Sequence, residues 1–111
     1  LIIAFYFNMD CIIIDDDATA RLITKQHCLN SEQINVVDEF SSAIDAIKYL
    51  NTKSVDLVYL DIHMPTFSGF DFIETLKNPP IIILTTSDKN LALEAFEYKR
   101  LFSKTNHKRT F

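Results

Sequence analysis

Three uninterrupted apolar runs, Cys11–Ile14, Leu57–Leu60 and Ile81–Leu84, each stop on polar residues of one kind. The first ends on Asp15-Asp16-Asp17, the second on Asp61 and the third on Thr85-Thr86-Ser87. A strand with one wet face alternates apolar and polar residues; a run without alternation is buried on both faces, which requires a parallel sheet with helices on either side. The segments between the runs supply those helices. Ala18–Leu29 reads as a helix with Ala18, Leu22 and Leu29 on one face, and Ile34–Val37 as a further strand. Ser42 can cap a helix in which Ala43, Ala46, Ile47 and Leu50 recur at helical spacing. Phe70–Leu76 is expected to form a short helix and Asn90–Tyr98 a fourth one. This alternation predicts a doubly wound α/β fold, with no internal repeat and no interdomain linker.

Composition bounds what such a fold can do. At 111 residues the chain builds one core, and a net charge of −4 argues against a broad basic face for nucleic acid, whose affinity comes from Lys and Arg on phosphates. Cys11 and Cys28 stand in no metal-binding or disulfide-framework spacing, so both read as small buried or half-buried apolar residues of a reducing, cytoplasmic protein. The N-terminal LIIAFYF is too short to span a membrane and lacks the features of a signal peptide. Residues 1–8 are therefore expected to be a leader before Met9 or an extension of the first strand.

In open parallel sheets ligands bind at the carboxyl ends of the strands. There this sequence gathers Asp15, Asp16, Asp17 and Asp61, with Thr85, Thr86 and Ser87 nearby. Converging carboxylates repel one another unless a hard divalent cation neutralises them, and hydroxyls suit phosphate oxygens. Together these parts predict a phosphoryl-transfer site in which an Asp oxygen is the nucleophile. Asp17 is expected to cap the following helix rather than bind metal.

The IIIDDD cluster, the D-x-x-M-P-x-x-x-G run of Asp61, Met64, Pro65 and Gly69, and the strand ending in Thr resemble the receiver domain of two-component response regulators. The resemblance covers about Met9 to Lys99, and PPIIILTTSDKNLALEAFEY is most similar to receivers of LytTR-type regulators. It implies a CheY-like, flavodoxin-like strand order of 2-1-3-4-5 and a signalling domain rather than an enzyme. It further implies that Asp61 accepts a phosphoryl group from a sensor histidine kinase. Asp15, Asp16, Asp61 and the backbone carbonyl of His63 would then hold Mg²⁺, and Thr86, with Thr85 as the alternative, would be the switch hydroxyl. Pro65 and Gly69 would shape the loop, glycine by permitting a tight turn. Met64 reads as packing. A homodimer through the fourth-helix face is a further implication; direct contact with nucleic acid or membrane is not expected, and any LytTR-type output domain would lie beyond Phe111.

Two other readings stay open. Asp15, Asp17 and Thr19 fit the D-x-D-x-T pattern of haloacid-dehalogenase-type phosphohydrolases, with Asp15 as nucleophile, although this leaves the Asp61 run unexplained. A pseudo-receiver that binds partners without being phosphorylated is the other. The family pattern continues with a fifth strand ending in Lys-Pro and a fifth helix, whereas residues 100–111, RLFSKTNHKRTF, supply neither, and the context of Lys104 does not fit the Lys role. One permitted set of codons for this tail, read with its first base dropped, gives DYLVKPITKER. The tail is therefore expected to be a frameshifted or truncated ending that leaves a sheet edge open.

Overall fold

The computed structural model describes residues 1–2, 8–64 and 68–86. Its elements run β1 (Met9–Ile14), α1 (Ala18–Leu29), β2 (Ile34–Phe40), α2 (Ala43–Leu50), β3 (Leu57–Asp61), α3 (Gly69–Thr75) and β4 (Ile81–Thr85). All strand pairs are parallel, in the order β2-β1-β3-β4. This is the flavodoxin-like order expected as far as β4. The expected fourth helix, fifth strand and tail fall outside the described residues, as do Pro65 and Ser87.

The side chains of the inner strands divide the core by parity. Ile12, Ile14, Val58 and Leu60 pack on one face with Ala43 and Ala46 of α2, Phe72 and Ile73 of α3, and Met64. Cys11 and Leu57 point the other way and meet Cys28 of α1. Both cysteines are free and buried, and burial together with the neighbouring Cys28 thiol pushes the Cys11 pKa up to about 12. Such thiols behave as small apolar groups.

Capping fixes where the helices start. Asp17 accepts from the Thr19 N–H at 3.0 Å and Ser42 from the Ile44 N–H at 3.2 Å. Before α3, Ser68 and Asp71 each accept from the other's N–H at 3.2 Å, a reciprocal capping box that starts the helix at Gly69.

Several expectations are corrected in detail. β1 begins two residues earlier than its apolar run, and β2 continues from Val37 to Phe40, because pairing with β1 carries polar Asp38 and Glu39 along the edge. A register shift between Cys11 and Ile12 takes the pairing from Val36 to Asp38, stepping over Val37. The buried side of α1 is Cys28, with Ala20, Arg21, Thr24 and Lys25 half-buried, while Leu22 and Leu29 are exposed. β4 is only partly buried: Ile81 is 60% exposed and Ile83 38%.

Candidate functional site

The strand register builds the site. Ile14 pairs with Leu60 and Asp61 with Thr85, so Asp15, Asp61 and Thr85 form one row across the carboxyl ends of β1, β3 and β4. Residues in one row of a parallel sheet share a face, here the face carrying α1. A cleft of about 570 Å³ opens over that row, lined by Asp15, Asp16, Asp17, Asp61, His63, Thr85 and Thr86, with α1 contributing Ala20, Ile23 and Thr24.

Carboxylate oxygens of Asp15, Asp16 and Asp61 lie within 4.8 Å of one another. Asp15 is only 7% exposed, and its Oδ1 accepts from the Asp17 N–H at 2.9 Å. Asp61 Oδ1 accepts from the His63 N–H at 3.1 Å. Burial pushes the Asp61 pKa up to about 6, opposed by the His63 N–H and reinforced by the charges of Asp15 and Asp16. Asp15 is raised as well, again chiefly by burial. Three crowded carboxylates, two of which resist ionisation, make a donor set suited to a hard divalent cation with oxygen ligands.

Gly69 completes the backbone around Asp61. Its N–H donates to the Ile62 carbonyl at 3.1 Å, and a Cβ there would lie 2.9 Å from the Asp61 carbonyl oxygen and 3.0 Å from the Ile62 Cα. The backbone has no positive-φ glycine, so Gly69 serves close approach rather than a left-handed turn. This corrects the reason expected from sequence.

The candidate residues thus come together, with Asp17 turned to its capping role and His63 exposed at the rim. Both threonines line the cleft, Thr85 as the strand partner of Asp61 and Thr86 one residue beyond the strand. One residue escaped sequence reasoning. Arg21 donates from Nη1 to the Asp15 carbonyl at 2.8 Å and from Nε to Glu39 Oε1 at 3.3 Å. Its partner Glu39 is a β2 residue 18 positions away, so no local pattern announces the contact.

Comparison with known proteins agrees with this geometry. The response regulator receiver domain pattern matches residues 11–103. A response regulatory protein of Vibrio cholerae is 34% identical over 91 residues, covering 80% of this chain and 38% of that protein. The sensory transduction protein LytR of Staphylococcus haemolyticus is 36% identical over 94 residues, covering 80% of this chain and 36% of its own length. The chain therefore spans less than two-fifths of these relatives. Among solved structures, the response regulatory domain of MrkE from Klebsiella pneumoniae superposes with a TM-score of 0.71 at 30% identity, covering 82% of this chain and 77% of that domain. With its parallel sheet, strand-end acids and a match across most of its length, the chain belongs to the response regulator receiver-domain family of two-component systems.

Proposed function

We propose that this domain is a phosphoacceptor switch in which Asp61 takes a phosphoryl group from a sensor histidine kinase and relays the change to an output module such as a LytTR-type DNA-binding domain. The observation that carries this reading is the convergence of Asp15, Asp16 and Asp61 within 4.8 Å at the mouth of the cleft. Asp15 and Asp16 from the end of β1, Asp61 itself and the His63 carbonyl would hold Mg²⁺, which supplies neutralisation of charge on the transferring phosphoryl oxygens.

In the transfer, an Asp61 carboxylate oxygen attacks phosphorus in line and forms an acyl phosphate bond. The phosphorus–nitrogen bond to the donor imidazole breaks, and its electron pair stays with the departing nitrogen. The His63 N–H holds the Asp61 carboxylate through Oδ1, which leaves the other oxygen to act as nucleophile. Thr86, with Thr85 as alternative, would offer its hydroxyl to the new phosphoryl oxygens, as both residues line the cleft. Solution partners follow from the same reading: a histidine kinase, and a second receiver meeting this one through the expected Asn90–Tyr98 helix. Among the described residues, no helix is long and apolar enough to cross a membrane.

Incubating the chain with a small acyl phosphate donor and Mg²⁺, and weighing it intact, tests the proposal. One acid- and base-labile phosphoryl adduct is expected on the wild-type chain and none on Asp61→Asn. An adduct that persists on Asp15 in that variant supports a hydrolase instead; absence of any adduct on the wild type supports a pseudo-receiver.

A further inference from the structure

The end of β2 grips the loop that carries the first acids. The Asp15 N–H donates to the Phe40 carbonyl at 3.0 Å, and the Asp15 carbonyl accepts from Arg21 Nη1 at 2.8 Å. Arg21 is in turn held by Glu39, the residue before Phe40, through its Nε at 3.3 Å, and Glu39 also pairs with Lys25 one helical turn further along α1. Both main-chain polar atoms of Asp15 are thereby fixed, one by β2 and one by a side chain anchored on β2. The Arg21 side chain is only 17% exposed, so the clamp is built into the α1–β2 seam.

We propose that Arg21 is a positioning residue of the acidic cleft, its guanidinium bridging Glu39 and the Asp15 carbonyl so that the Asp15 carboxylate is held toward Asp61. This rests on reading the cleft as a magnesium site. Carboxylates that repel one another drift apart unless their backbones are pinned, and a planar fork with donors on two edges can pin one carbonyl while anchored on a carboxylate. Lysine carries its three donors on one nitrogen and lacks the planar fork that spans two separated partners in fixed geometry. The clamp also carries positive charge to the seam without entering the cleft, since Arg21 reaches the main chain of Asp15 and not its carboxylate.

The test compares the wild-type chain with Arg21→Gln, Arg21→Lys and Glu39→Gln, following Mg²⁺ affinity by calorimetry, thermal unfolding, and amide hydrogen exchange in metal-free buffer. Arg21→Gln is expected to weaken Mg²⁺ binding about tenfold, the low end of what loss of an outer-shell partner costs, with Arg21→Lys intermediate and Glu39→Gln about threefold weaker. In the same variants the Asp17 N–H, bonded to Asp15 Oδ1, should exchange faster while the Cys11–Ile14 amides keep their protection. A residue that only supports the fold would lower the melting temperature and expose both sets of amides together. Should Arg21→Gln fail to fold, Glu39→Gln decides. A folded variant with wild-type Mg²⁺ affinity overturns the proposal alone; a wild-type chain that binds no Mg²⁺ overturns the magnesium reading and this proposal with it.

Discussion

Asp61 is a carboxyl group placed where its own charge is costly, and its titration should show it. With a folded pKa of about 6 against 3.8 in the unfolded chain, the native state binds the proton more tightly. Its contribution to stability in metal-free buffer is therefore greatest below 3.8 and is lost as pH rises through about 6. Melting temperature against pH should fall across that window in the wild type and run flatter in Asp61→Asn. Mg²⁺ selects the ionised form, so its affinity should weaken as pH drops below about 6. The same reasoning applies to the partners of Asp61. Asp15→Ala combined with Asp16→Ala should abolish the calorimetric Mg²⁺ signal and raise the melting temperature without metal, because like charges are removed from a half-buried cleft. Unchanged Mg²⁺ affinity in that double variant would count against the metal assignment.

At the scale of elements, the junction of β3 and α3 depends on one hydrogen atom. Gly69→Ala puts a methyl group 2.9 Å from the Asp61 carbonyl oxygen, against main chain that cannot swing aside. A loss of about 1–3 kcal/mol in denaturant unfolding is expected, as for other overpacked positions, with slower phosphorylation of Asp61 as its backbone shifts. How far such elements could be read in advance varied with their surroundings. β1, β3 and the bounds of α1 follow from apolar runs and from the Asp17 cap, since burial on both faces and capping are written in neighbouring residues. The inner side of α1 was not legible, because beside Cys28 it consists of the half-buried Ala20, Arg21, Thr24 and Lys25 while Leu22 is exposed. The step over Val37 was hidden too, as strand register is decided between chains segments distant in sequence. At the site the acids could be named from their strand ends, whereas the pairing of Asp61 with Thr85 is set between strands distant in sequence.

For the molecule as a whole, Ile81 and Ile83 of β4 and Ile23 of α1 are exposed apolar side chains among the described residues. A polarity-sensitive dye should bind there, and Ile81→Thr with Ile83→Thr should reduce its fluorescence while leaving Mg²⁺ affinity intact; equal dye binding would place the apolar surface elsewhere. The order β2-β1-β3-β4 also has a kinetic consequence. β1 joins β2 across a single helix, but Asp15 meets Asp61 only after β1 has closed on β3, pairing Ile14 with Leu60 across two intervening helices. Loop-closure entropy makes the longer closure the later event, so the acidic cluster should still be open at the folding barrier. Mg²⁺ should then slow unfolding and leave the refolding rate nearly unchanged in stopped-flow measurements, and a metal-accelerated refolding limb would show that the cluster assembles first.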